Sequence, residues 1–143
     1  MVEIRRLEPE RVEDLLRLWR EADLPHKPRG RDSPKMLRRQ MEENPEGFIG
    51  AYDGDRLVGA VIATYDGRKG WINRLAVHPA YRRRGVATAL VKAAEEVLIR
   101  KGALVIAALI LEDNKPSLNL FKKLGYEVGR GVVYVRKALR PEA

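Results

Sequence analysis

The sequence predicts a mixed α/β (α+β) domain, built on a mostly antiparallel central sheet of about seven strands with four helices. Three observations carry this. Segments of period-two and helical hydrophobic patterning succeed one another as strand, two helices, three strands, helix, strand, helix, two strands. The 143 residues suit one compact domain, 1–143, and show no repeat, low-complexity run or interdomain linker. A strand–helix–strand unit over 71–111 calls for a right-handed crossover between two parallel strands.

The elements follow in order. Val2 to Leu7 alternates as a first strand. Pro9 opens a helix in which Val12, Leu15, Leu16, Trp19 and Ala22 share one apolar face. Prolines and a glycine make 24–32 a loop. Ser33 then caps a second helix, with Pro34 at its first position and a narrow stripe of Met36, Leu37 and Met41. Phe48 to Asp53 and Arg56 to Tyr65 flank the tight turn Asp53-Gly54-Asp55. A further strand runs from Trp71 to Val77, and Pro79 ends it. The strongest helix spans Gly85 to Lys101, with Val86, Leu90, Val91, Ala94, Val97 and Leu98 as its buried stripe and Gly102 as C-cap. Ala103 to Leu111 is almost continuously apolar, the pattern of a strand buried on both faces. Asn114 to Leu124 reads as a short helix closed by Gly125. Tyr126 to Val128 and Val132 to Leu139 read as the last two strands.

Composition narrows the function classes. The absence of cysteine excludes a disulfide framework and a thiolate metal site, and His26 and His78 are too far apart in sequence to suggest a ligand pair, so no metal is expected. The N-terminus is charged, with no long apolar stretch behind it, which argues for a cytoplasmic protein without a membrane partner. The net charge of +8 fits nucleic acid, an anionic surface or an anionic small ligand equally well. A solvated basic surface fits too, since the excess is spread along the chain apart from Arg82-Arg83-Arg84.

That cluster carries the most chemistry. A strand ends at Val77, a turn follows with three arginines, and Gly85 opens a long helix. The first N–H groups of a helix have no intrahelical partner, and with the helix dipole they attract anions such as pyrophosphate. Gly85 and the small Ala87 allow close backbone approach, and Arg82 and Arg84 add charge. Alone, this Arg-x-x-Gly-x-Ala pattern is weak. It is joined by Leu75-Ala76-Val77-His78-Pro79 just upstream and by Asn114, Ser117, Phe121 and Leu124-Gly125-Tyr126 downstream.

With these three linked motifs the chain resembles the GNAT superfamily of N-acyltransferases, whose members show L-A-V-x-P, [QR]-x-x-G-x-[GA], and then N-x-x-[AS], an aromatic and L-G-[FY]. The element order matches from about Val2 to Leu139. Leu18-Trp19 with Asp23-Leu24 is most similar to small stand-alone prokaryotic members. The resemblance implies acetyl-CoA as co-substrate and an amine as acceptor. Backbone groups of Leu75, Ala76 and Val77 would pair with the pantetheine arm. The Val77 N–H would act on the thioester carbonyl as an oxyanion donor. Amides from Arg82, Arg83 and Arg84 through Gly85, Val86, Ala87 and Thr88 would hold the pyrophosphate. Asn114 would bond near the pantetheine, and Ser117 and Phe121 would line the thiol end. The strands at 71–77 and 103–111 would splay apart there. A homodimer is a further expectation from the family.

The chain departs from the family where protons move. Phe121 stands where many members place a tyrosine general acid, and Leu109 where some place a glutamate base. A glutamate common on the preceding strand is also missing, with Asn73 and Arg74 its nearest polar residues. Losing a general acid costs about 10²–10⁴-fold. A thiol with a pKa of about 8.5 nevertheless leaves tolerably well unaided. Candidate bases are Glu112, Asp113, His26, Asp66 and Tyr65, with a backbone carbonyl or ordered water as alternatives. Direct acetyl transfer to an amine is the leading expectation. An acyl-CoA-binding module with little catalysis is the alternative. A nucleic-acid binder has only the charge in its favour.

Overall fold

A computed structural model describes residues 1–143. The order is β1 (Val2–Arg6), α1 (Val12–Glu21), α2 (Pro34–Glu43), β2 (Phe48–Asp53), β3 (Arg56–Tyr65), β4 (Gly70–Val77), α3 (Val86–Lys101), β5 (Ile106–Ala108) and α4 (Lys115–Lys123), with 3₁₀ turns at Pro9–Arg11 and Pro79–Tyr81. The sheet order is β1-β2-β3-β4-β5. All neighbours are antiparallel except β4 and β5, which are parallel.

The sheet divides the core in two. Against one face, α3 packs Val86, Leu90, Val91, Ala94, Val97 and Leu98 with Val58, Val61, Ile72 and Val77. Against the other, α1 packs Val12, Leu15, Leu16, Leu18 and Trp19, and α2 packs Leu37 and Met41, onto Phe48, Tyr52, Ala60, Ile62 and Ala76. The capping reading of α2 holds: the Ser33 hydroxyl accepts from the Met36 N–H at 3.3 Å. Met36 itself leaves the expected stripe and is exposed, because Leu37 and Met41, one turn apart, already fill the contact.

The sheet has five strands rather than about seven. Residues 126–139 form no ladder, and Val132, Val133, Tyr134 and Val135 are exposed. Strand propensity expresses itself only where a neighbouring edge supplies bonding partners, and β5 pairs over only Gly70↔Ile106, Trp71↔Ala107 and Ile72↔Ala108. The expectation of a long strand buried on both faces at 103–111 is likewise overturned. The strand is a short edge strand, and Leu104, Val105, Leu109 and Leu111 around it are exposed. No helix is long and apolar enough to cross a membrane.

Two expected outcomes follow from the packing. Leu90 is fully buried between α3 and the sheet. Leu90→Ala should cost about 2–5 kcal/mol in urea unfolding. At the β3–β4 turn, the Asp66 carboxylate accepts from the Lys69 and Arg68 N–H groups, both at 2.8 Å, and from the Trp71 indole at 3.1 Å. These bonds, the Lys69 N–H first, hold its pKa at about 2 against an ordinary 3.8. Because the folded value is the lower one, the stabilisation is present above the ordinary value and is lost as pH falls toward about 2. The difference in urea midpoint between wild type and Asp66→Asn should therefore shrink below pH 4 and close near pH 2.

Candidate active site

The site begins with bonds that β4 does not make. Its pairing with β5 stops at Ile72, so Asn73 to Val77 have no strand beside them on that flank. On the other flank the His78 N–H donates to the Val58 carbonyl at 2.8 Å. Gly59 and Val77 therefore face each other without exchanging hydrogen bonds, which turns the Val77 N–H toward the open side. The β4–β5 pairing thus ends at Ile72↔Ala108, and the Leu75–Val77 backbone lies beyond that point.

A bulge sits in the same stretch. The β3–β4 register runs from Ile62↔Asn73 to Ala60↔Ala76, so β4 carries one extra residue there. Arg74 takes it up with a left-handed φ of 55°. Strict alternation would put Arg74 on the face of Ile72, toward α3. The bulge instead turns it to the α1–α2 face with Ala76, while Leu75 and Val77 pack on the α3 side.

Beyond Val77, the turn closes onto α3. Gly85 has φ 78°, and no side chain caps the helix. The first helical bond runs from the Ala89 N–H to the Gly85 carbonyl at 3.0 Å, which leaves the Val86, Ala87 and Thr88 N–H groups ahead of it. A cleft of about 190 Å³ opens there, lined by Val77, Arg82, Arg83, Gly85, Val86, Ala87 and Thr88, together with Tyr81 and Leu120. Seven of its nine residues are ones the sequence singled out. Tyr81 and Leu120 are additions that only the fold reveals.

The arginines divide their work. Arg82 donates to the Val77 carbonyl at 3.2 Å and the Ala22 carbonyl at 3.4 Å, bracing the end of β4 against α1. Arg84 lies over the Tyr81 ring at 5.2 Å. The Tyr81 hydroxyl donates to Asp53 at 2.5 Å, which raises the phenol pKa. Arg83, exposed and with φ 63°, is the side chain left at the cleft.

Downstream, Asn114 caps α4, its side chain accepting from the Ser117 N–H at 3.3 Å. Ser117 is half-buried, whereas Phe121 is buried in the α3-side core, edge-on to Tyr126 at 4.9 Å. The Tyr126 hydroxyl donates to Glu95 of α3 at 2.6 Å, and burial with this bond raises its pKa. Glu112 and Asp113 are exposed in the turn before α4. Tyr65 and Asp66 lie at the far end of β4, roughly 20 Å of strand from Val77, too far to take a proton there.

His26 lies on the opposite face of the sheet from the α3 cluster. It is half-buried, 5.9 Å from the Trp19 ring, with Nδ1 3.2 Å from the Leu24 carbonyl. Donation from Nδ1 leaves Nε2 with a free lone pair. His78 is held within its own turn: its Nδ1 accepts from the Ala80 N–H at 3.1 Å, and its Nε2 lies 3.4 Å from Glu21.

β4 is thus a half-unpaired strand that leads into an open helix N-terminus. The chain belongs to the acetyltransferase (GNAT) family, whose model matches residues 10–126. It is 33% identical to an acetyltransferase of Sodalis glossinidius over 139 residues, 96% of each chain. It is 35% identical to one of Pectobacterium atrosepticum over 127 residues, 88% of each chain. The fold is also that of the PaiA N-acetyltransferase of Thermoplasma acidophilum in complex with coenzyme A, with TM-score 0.79, 23% identity and coverage of 90% and 91% of the two chains. The aminoglycoside acetyltransferase AAC(6')-Iy, in complex with a bisubstrate analogue, superposes with TM-score 0.80 at 20% identity over 96% and 99% of the two chains.

Nothing lies within 4 Å of a Cβ built on Gly85, so an alanine there meets strain and no clash. Gly85→Ala should lower stability by about 1–2 kcal/mol, the usual cost of a left-handed residue, measured by urea unfolding.

Proposed function

We propose that this protein is an acetyl-CoA-dependent N-acetyltransferase, moving the acetyl group to a primary amine by direct attack in a ternary complex. One observation carries the reading: Val77, at the unpaired edge of β4, and the uncapped start of α3 line one short cleft. The coenzyme A and bisubstrate complexes of its structural neighbours support it.

In this reading the pantetheine arm runs along Leu75, Ala76 and Val77 as an added strand. The pyrophosphate rests on amides from Arg83 to Thr88, with Asn114 and Ser117 beside the arm. The amine attacks the thioester carbonyl, a C–N bond forms and the C–S bond breaks. The electron pair departs on the coenzyme sulfur, which takes its proton from solvent. Proximity supplies much of the rate. The Val77 N–H stabilises the oxyanion, a kind of donor worth about 10²–10³-fold. Phe121 has no proton to give, and a thiolate of pKa about 8.5 needs none. The amine proton passes to His26 Nε2, or through water to the exposed Glu112.

Isothermal titration with acetyl-CoA should give heat, and ligand at a hundred times Kd should stabilise the fold by about 2.7 kcal/mol. An absence of both at millimolar ligand sinks the proposal. Phe121 and Leu109, which lack proton-transfer groups, favour a second reading as an acyl-CoA-binding module. Thiol release that depends on added amine rejects that alternative.

A further inference from the structure

On the α1–α2 face of β4, opposite the α3 core, a second cluster gathers at the bulge. The Arg74 guanidinium lies over the Trp19 ring at 4.3 Å. Its Nε and one terminal nitrogen, Nη2, are buried without any hydrogen-bond acceptor. Its nearest anion is Asp32, and at 3.8 Å that is an ion pair without a hydrogen bond. Asp32 spends the same oxygen on the Lys27 N–H at 2.8 Å, closing the 27–32 loop on itself. About a quarter of the Arg74 side chain stays open to solvent. His26 sits against the other side of this cluster, on Trp19.

This arrangement is unusual for a structural arginine. A guanidinium carries five N–H donors in a rigid fork, and leaving buried donors unmet is unfavourable. A non-glycine residue with a left-handed φ in a strand adds backbone strain. Both features place a desolvated, plane-locked cation a few residues along the strand from the Val77 N–H, on the side of the loop that carries His26. Asp32 attracts the Arg74 charge and Arg31 repels it. Arg74 and Arg31 against Asp32 leave this cluster with a positive balance, unsuited to an acceptor that is only a cation.

We propose that Arg74 is a specificity-determining residue that grips a carboxylate of the acceptor, so that the amine acetylated belongs to an acidic molecule. This rests on the acetyltransferase reading above. From Arg74 to Val77 the strand rises on the order of 10 Å, so amine and carboxylate are separated by several bonds. An ω-amino acid or a short acidic peptide fits; an amine carrying only positive charge does not. The fork suits carboxylate better than a point charge would, since it offers two parallel N–H donors in one plane.

The test compares γ-aminobutyrate, ε-aminocaproate and a glutamyl dipeptide, each against its carboxamide, by thiol release with the wild type, Arg74→Gln and Arg74→Lys. The wild type should prefer the acids by about tenfold to a hundredfold in kcat/KM, the range for hydrogen bonds to charged groups. Arg74→Gln should bring the ratio near one with acetyl-CoA affinity unchanged, and Arg74→Lys should recover part of it. A merely structural tie to Asp32 would lower acid and amide alike and leave the ratio untouched, overturning the inference. So would equal turnover of acid and amide by the wild type. If none of the probes turns over, titration of the same pairs into coenzyme A-loaded protein decides: acid-selective binding lost in Arg74→Gln supports the inference, and its absence rejects it. Failure to bind acetyl-CoA at all would instead count against the acetyltransferase reading.

Discussion

The ladder that β4 leaves unfinished governs the rest of the molecule's chemistry. Buried or half-buried backbone N–H and C=O groups are almost always paired, yet β5 withdraws after Ile72 and exposes five residues of one strand edge in the middle of the sheet. The fold tolerates this because both sheet faces are packed, by α3 on one side and by α1 and α2 on the other. Removing that support would leave nothing to keep β4 and β5 apart at one end and joined at the other. The vacancy is therefore held open by side-chain packing at a distance, while the groups it presents belong to the main chain.

Charge plays a smaller part than a net +8 suggests. Arg82 is committed to two carbonyls, Arg84 to a tyrosine face, and Arg5 and Arg11 to the Tyr52 ring at 4.2 and 5.0 Å. What meets an anion at the start of α3 is chiefly a set of amides with no competing cap. A helix terminus contributes about 0.3–1 kcal/mol when exposed and up to about 2 when partly buried. The turn adds N–H groups from Arg83 onward to that modest effect, its path set by two left-handed residues, Arg83 and Gly85, on either side of Arg84.

Local signals account for what was legible in advance. The Asp53-Gly54-Asp55 turn, the Ser33 cap, the Gly85 and Gly102 bounds of α3 and the stripe along it are written in neighbouring residues, and these elements appear where the sequence places them. The cleft was legible for the same reason, because all of its lining but Leu120 comes from the single segment 77–88. The run 103–111 misled because continuous apolarity fits a central strand, an edge strand or a poorly covered loop alike. Only pairing distinguishes them, and pairing is tertiary. Residues 132–139 failed likewise: their β propensity is real, and no edge meets it. Arg74 was marked only as a polar neighbour of the missing glutamate, and its direction left no local trace. Its direction depends on a bulge set by the register against β3, and strict alternation would have turned it into the α3 core.

That bulge ties the two halves of the site together. One extra residue in β4 turns Arg74 toward Trp19, Asp32 and His26, while its neighbours Leu75 and Val77 pack toward α3. Under the proposed function the edge offered to the acyl donor is main chain, which any side chain compatible with the strand can supply, and the wall offered to the acceptor is side chain, built from residues of α1, the 24–33 loop and a single position in β4. Substitutions on that wall would then change what is acetylated without disturbing how the donor is held. In the turn at 82–88, Arg82 serves both sides, because it also braces the end of β4 against α1. The separation follows from geometry: a strand presents its hydrogen-bonding edges in the plane of the sheet and its side chains perpendicular to it. In the proposed reaction the two substrates would thus meet on β4 from directions that do not compete.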